Sequence, residues 1–359
     1  MMKIVILSLA SRFGDVTGDC VQAEKTVDAL RTQGEDVSRC FLKGTRILDE
    51  SGQDCGSWRE RLRDCDIVHT IPPIPWRYLS IQEPIRAKLV ASTVFWRSLT
   101  YLRVLHRTEG LLSFGLAKEY VRVFLAWLGL PTYRSYEGFD LLLPNSEDEV
   151  RTFNAFCRRK GKSICRAVPN AIDSIPDFVD FLPRPKNVPA SDYVVVPAVF
   201  AARKNHLAFI RAVQGLSYPV VFMGNGDYLE ECRRIAGEDM YFLGYVKHGC
   251  SEFYSVLKYA RVVCLPSNCE TPGIAGLEAA ALGARPVMPY EGGTAQYYAW
   301  DAEYLDPLDA RSMRAALEKA WMRGRLPSES QLRFRSLTWR CVAERTIEAY
   351  HDILSGTRR

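Results

Sequence analysis

The sequence predicts an α/β protein made of two doubly wound halves, and three observations carry that expectation. Short apolar runs alternate with longer amphipathic stretches along almost the whole chain, as βαβ units on parallel sheets require. The 359 residues exceed one ordinary domain and suit two. Between the halves, "DFLPRPKNVPASD" (180–192) holds three prolines and no apolar period, so it reads as a linker. The expected division is 1–183, 184–337 and a terminal helical segment, 338–359.

In the first half, "KIVILSL" (3–9), "DVSRCFL" (36–42), "DIVHTI" (66–71), "KLVAST" (88–93), "DLLLP" (140–144) and "CRAVP" (165–169) read as strands, with helices in the gaps. The helix over 18–33 follows from Cys20, Ala23, Val27 and Leu30 at helical period, with Gly34 as its stop. In the second half the strands are "DYVVVPAVF" (192–200), "YPVVFMG" (218–224), "MYFLG" (240–244), "ARVVCLP" (260–266), "ARPVMP" (284–289) and "AEYLDP" (302–307). An amphipathic helix over 338–355 ends near Gly356.

Hydrophobic residues at 47% and charged residues at 25% are ordinary for a soluble globular protein. A net charge of +5 is too small to argue for nucleic acid, yet it suits phosphate-bearing ligands and leaves contact with an anionic membrane face open. The eleven cysteines are scattered, with no CxxC pair and no zinc-finger spacing, which points to reduced thiols, a cytoplasmic setting and no metal site. Arg12 and Asp15 follow the first apolar run without a leader-cleavage pattern, so that run is expected as a strand. No segment has the roughly 18 uninterrupted apolar residues needed to span a bilayer.

Chemistry concentrates in "CETPGIAGLEAA" (269–280), which follows a strand where parallel sheets bind ligands. Thr271 suits an N-cap and Pro272 a first helical position, giving a helix over 272–282 that stops at Gly283. Glu270 then precedes the helix. Gly273, Ala275 and Gly276 leave its first turn open, and its N–H groups would favour a diphosphate. Glu278 falls on nearly the same face as Ile274, in apolar surroundings where an ionised carboxylate needs hydrogen-bond donors such as ribose hydroxyls. On spacing alone, a surface glutamate and an incidental loop acid explain the pair equally well. Arg203 and Lys204, adjacent cations after a strand, suit a diphosphate or a solvated helix start. Gly224 and Gly226 suit a ligand loop or an ordinary strand-to-helix turn. His69 ends a strand and reads as a cleft residue or as a satisfied buried histidine, and His206 reads as structural. The aromatic, leucine-rich and arginine-bearing stretch 95–134 fits core and solvated helix faces, or a lipid- or acceptor-facing surface.

Glu270, the Pro272–Gly273 pair, Glu278 and "AAALGARPV" together resemble the EX7E motif of retaining GT-B glycosyltransferases, specifically family 4. Other segments match in the same order: "DLLLPNSEDEV" (140–150), "AVPNAID" (167–173), "RKNHLAFIRAV" (203–213), "MGNGDYLEE" (223–231), "FLGYV" (242–246), "EGGTAQ" (291–296) and "TWRCVAERTIEAY" (338–350). The resemblance spans nearly the full length. It implies two Rossmann-like domains facing across a cleft, the first for the acceptor and the second for a nucleotide-diphosphate sugar, with the terminal helix returning to the first.

By that resemblance Glu270 contacts the transferred sugar, with Thr271, Pro272, Gly273 and Ile274 at the sugar and diphosphate. Glu278 binds the ribose, Arg203 and Lys204 neutralise the diphosphate, and Gly224 and Gly226 line the donor loop. Gly14 and Gly18, with Asp19, approach the phosphates from the acceptor domain, where His69 and Trp96 are further acceptor-side candidates. No cofactor or metal is required. The acceptor is a glycan, a lipid-linked sugar or another hydroxyl compound. Two departures stand out: Val199 lies where relatives carry a Gly-Arg pair, and Phe95 and Trp96 lie where many carry a histidine. Alternatives are a nucleotide-sugar epimerase, a phosphorylase, a catalytically silent nucleotide-sugar binder, and a nucleic-acid-modifying glycosyltransferase that the modest charge does not support.

Overall fold

The computed structural model describes residues 1–12, 18–74, 86–93, 96, 102–103, 106, 114–128, 136, 138–156 and 164–356. Two compact units emerge: Met1–Phe95, Val121–Ala171 and Thr338–Arg359 form one, and Trp96–Tyr120 with Ile172–Leu337 form the other. The division falls after Ala171 rather than at 183/184, and the proline-rich stretch is no free linker. Ile172 and Val179 are buried in the second unit's core. Lys258 Nζ donates to the carbonyls of Val179 and Asp180 at 2.9 and 2.8 Å. Prolines there forbid regular pairing but not packing.

The first unit's sheet comprises β1 (Lys3–Leu9), β2 (Asp36–Lys43), β3 (Arg46–Leu48), β4 (Asp54–Ser57), β5 (Ile67–Thr70), β6 (Lys88–Thr93), β7 (Leu141–Pro144) and β8 (Ile164–Cys165). Their order is β4-β3-β2-β1-β5-β6-β7-β8. Pairing is parallel except for the β2–β3 and β3–β4 pairs, an edge meander absent from the sequence reading. β1 is buried from Ile4 to Ser8 because it is a central strand, and its continuous apolar run reflects cover on both faces. Cys20, Ala23, Val27 and Leu30 of the helix Gly18–Thr32 are all buried, as their spacing predicts. Ala23, Val27 and Leu30 share a core with Val342, Ala343, Ala349, Tyr350 and Ile353 of the helix Trp339–Ser355. β8 is shorter than expected, although Arg166 and Val168 N–H groups still donate to Leu142 and Pro144 carbonyls before Pro169 ends the run.

The second unit's sheet comprises β9 (Val194–Pro197), β10 (Val220–Met223), β11 (Met240–Phe242), β12 (Val262–Cys264), β13 (Arg285–Pro289) and β14 (Glu303–Leu305). All pairs are parallel, in the order β11-β10-β9-β12-β13-β14. This is the 3-2-1-4-5-6 winding, so the strand order reverses between β9 and β12, where such sheets bind ligands beyond their carboxyl ends. Among the described residues no helix is long and apolar enough to cross a membrane.

Candidate active site

The loops after β9 and β12 flank that reversal point, and they bring Lys204 and Glu270 together. After β9 a short 3-10 turn, Ala202–Lys204, is closed by Asn205 in the left-handed conformation at φ 60°. Asn205 Nδ2 donates to the carbonyls of Pro266 and Pro307, and Asn268 N–H donates to the Arg203 carbonyl at 2.9 Å. These bonds hold the turn against the β12 loop. Lys204 Nζ is thereby placed in an ion pair with Glu270 Oε1, while the Arg203 side chain beside it stays exposed.

Glu270 is buried and accepts a second hydrogen bond from Ser267 Oγ at 2.5 Å. Its backbone is fixed as well, since Glu270 N–H donates to the Glu291 carbonyl and Gly293 N–H donates to the Glu270 carbonyl. "EGGTAQ" is therefore the strut that orients Glu270. Sequence reasoning passed over Ser267, for which the only signal was a hydroxyl three residues before the glutamate.

The helix after this loop spans Ile274–Ala281, not 272–282. Thr271 does not cap it and Pro272 is not its first residue. Gly273 is the cap, at φ 82° and ψ 78° without a side-chain bond, a backbone conformation that suits glycine. A Cβ there would lie 2.7 Å from Leu265 Cδ1 and 3.2 Å from Glu270 Oε2, so the carboxylate rests directly over the cap. Tyr298 OH donates to the Gly273 carbonyl at 3.0 Å and steadies it. Of the three small residues expected to open the first turn, Gly276 instead packs inward, against Met288 and the Tyr298 hydroxyl.

Glu278 is 1% exposed, so its carboxylate lies in the interior as the apolar surroundings suggested. His248 Nε2–H donates to its Oε1 at 2.7 Å. This partner was missed, since thirty residues of sequence separate the two and no local pattern joins them. Gly224 and Gly226 follow β10. A Cβ at either would lie within 2.5 Å of the Ala198 or Phe200 carbonyl oxygen, so the loop after β10 sits on the loop after β9, which requires glycines there. Val199, in that second loop, is 45% exposed and offers no charge where an arginine was expected. His206 is buried against Phe200, with ring centroids 4.3 Å apart.

The acceptor-side candidates stand differently. His69 is a core residue of the first unit: its Nδ1 pairs with Tyr350 OH at 2.6 Å and its Nε2 with Ser92 Oγ at 2.8 Å. Burial pushes its pKa down to about 3, so the ring is neutral, and with both nitrogens engaged it fits the satisfied buried histidine of the two readings. Trp96 belongs with the second unit, where its Nε1–H donates to Glu291 Oε2 at 2.6 Å, on the strut beside Glu270. Gly18 opens the helix Gly18–Thr32 with Asp19 second. The Asp19 side chain, Gly14 and Phe95 lie outside the described residues, as does much of 95–134. Among the described residues no group of three or more His, Cys, Asp or Glu is arranged to hold a metal ion.

Residues 191–321 match the family described as Glycosyl transferases group 1. No curated protein matches the chain. Solved structures similar to it include sucrose-phosphate synthase from Thermosynechococcus elongatus, at 17% identity and a TM-score of 0.70, covering 99% of this chain and 100% of that one. Anabaena HepE in complex with UDP is 14% identical at a TM-score of 0.63, with 98% and 100% covered. The UDP-forming α,α-trehalose-phosphate synthase from Burkholderia xenovorans, in complex with glucose-6-phosphate, is 12% identical at a TM-score of 0.64, with 97% and 100% covered. The chain thus has the two-domain, parallel-sheet α/β fold of the GT-B glycosyltransferases, and residues 191–321 of its second unit match a glycosyl transferases group 1 domain.

Proposed function

We propose that the protein is a retaining, metal-independent glycosyltransferase of family 4 that moves a sugar from a nucleoside-diphosphate sugar to an acceptor hydroxyl. The observation that carries this reading is the meeting of Lys204 and Glu270 at the strand-order reversal, beside the N-terminus of the helix that bears the buried Glu278. HepE, solved with UDP, and the UDP-forming synthase support the donor class by similarity of fold.

In this scheme the acceptor oxygen attacks the anomeric carbon on the face from which the diphosphate leaves, and a phosphate oxygen takes its proton. No carboxylate nucleophile takes part. Glu270 accepts hydrogen bonds from hydroxyls of the transferred sugar, and Glu278 from those of the ribose. Lys204, Arg203 and the N–H groups at Gly273 and Ile274 stabilise charge growing on the leaving diphosphate, the part a cation plays in metal-dependent transfer. The acceptor is a glycan, lipid-linked sugar or other hydroxyl compound, which places the enzyme in glycan or glycoconjugate synthesis in the cytoplasm or at the inner face of a membrane.

The test is a thermal-shift screen of nucleoside diphosphates and nucleotide sugars, followed by the best ligand with Lys204→Ala and Glu278→Ala. Stabilisation by one nucleotide series is expected, reduced at least about tenfold in affinity by either variant, given that one charge-assisted bond contributes about 1.5–3 kcal/mol. Transfer in the presence of EDTA, with anomeric configuration kept in the product by NMR, completes the expectation. Full ligand stabilisation of the Glu278→Ala protein would sink the ribose assignment. The exposed Val199 favours a second reading, a nucleotide-sugar binder without transferase activity. Ligand stabilisation with no product across acceptor classes selects that reading.

A further inference from the structure

His248 is unlike the two histidines His69 and His206. His69 and His206 are sealed in the core. His248 keeps 44% of its side chain exposed yet spends its Nε2–H on Glu278, a carboxylate that is 1% exposed. It reaches that carboxylate from the segment after β11, beyond the carboxyl end of the second unit's sheet, just before the helix Ser251–Tyr259. The ring edge of Phe253 stands against it, with centroids 4.8 Å apart at 63°, which fixes the plane of the imidazole. A carboxylate has about four lone-pair directions and no rotational preference of its own in an apolar setting. The donor on Oε1 therefore helps to set the plane in which the carboxylate lies.

We propose that His248 is the positioning residue for nucleotide recognition, holding Glu278 so that its carboxylate meets the vicinal hydroxyls of a ribose. This rests on the reading of Glu278 given above. A histidine serves the purpose because its ring N–H is directional and its body is rigid. A lysine at the same place would neutralise the carboxylate without orienting it. The partner so selected is a ribonucleoside diphosphate moiety, discriminated from its deoxy form.

The experiment measures binding of UDP, ADP and GDP, each with its 2′,3′-dideoxy counterpart, by calorimetry on the full chain and on His248→Ala, His248→Gln and Glu278→Gln. For the nucleotide that binds best, the native protein is expected to favour the ribo form about tenfold or more. His248→Ala is expected to lose most of that preference by weakening the ribo form alone, leaving the dideoxy form unchanged. His248→Gln, whose amide can also donate to Oε1, is expected to restore part of it. A ribo-to-dideoxy ratio in His248→Ala equal to the native ratio, with Glu278→Gln abolishing it, overturns the role of His248 while leaving the ribose assignment standing. A ratio that Glu278→Gln does not change, or no binding of any of the three diphosphates, overturns both. Equal weakening of ribo and dideoxy forms assigns His248 a merely structural role and also overturns the proposal.

Discussion

Two imidazoles, one in each unit, carry the same electrostatic liability. Burial pushes both His69 and His206 down to about 3, from an ordinary value of 6.5, with Lys204 adding a smaller push on His206. Between those values the unfolded chain binds a proton that the folded chain refuses. Each histidine therefore contributes stability that is complete above pH 6.5 and is lost as pH falls toward 3. One pH unit inside the window costs about 1.4 kcal/mol per group. Urea unfolding at pH 7 and pH 5 should show both units weakened at the lower pH. His206→Phe should flatten the slope of the second unit only, since Phe200 accepts another ring by stacking. An unchanged slope would show that His206 takes up its proton in the folded state.

At the scale of elements, the second unit is held by a clamp around residues 297–301. Arg333 donates to the Tyr297 and Tyr298 carbonyls, Tyr304 OH to that of Ala299, Arg323 to that of Trp300 and Arg285 to that of Asp301. Ala299 sits at φ 47°, a region a residue with a side chain enters at a cost of about 1–3 kcal/mol, and it is kept there by these donors. Arg333 also pairs with the buried carboxylate of Asp301. Arg333→Ala should destabilise the second unit by about 1.5–3 kcal/mol in denaturant titration, since it removes the charged partner of that carboxylate and leaves it the Ser330 hydroxyl at 2.8 Å.

What could be read in the sequence, and what could not, follows the range of the forces involved. β1, β9 and the helix Gly18–Thr32 were legible because burial of a central strand or one helix face writes a local period. The β3–β4 edge was not, since its short polar strands are set by pairing with β2 rather than by their own composition. Glu270 and Glu278 stood out only through their ordered neighbours. Ser267 close by and His248 far off escaped because a hydrogen bond between side chains leaves no periodic trace. The start of the helix Ile274–Ala281 was misplaced because Thr-Pro is a good local signal that the packing of Leu265 and Glu270 on Gly273 overrules.

For the molecule as a whole, neither unit is one continuous piece of chain, because Trp96–Tyr120 joins the second and Thr338–Arg359 the first. The helix Trp339–Ser355 covers β1 and the helix Gly18–Thr32, and its Tyr350 hydroxyl satisfies His69. Removing residues 338–359 should expose Ile4, Ile6, Val27 and Leu30 and open the first unit to proteolysis. The second unit should retain a separate melting transition, measurable by calorimetry. A single transition lost altogether would show that the units fold as one.

The placement of that helix also bears on how the protein comes into being. A ribosome makes roughly 5–20 residues each second, so strands β1 to β8 would emerge well before the helix that closes their core. The second unit's central sheet, which ends at Leu305, is also complete before that helix is made. Closure of the first unit would therefore come last, with the amino-terminal sheet and the helix Gly18–Thr32 waiting several seconds, their shared core incomplete, for residues 339–355 to arrive.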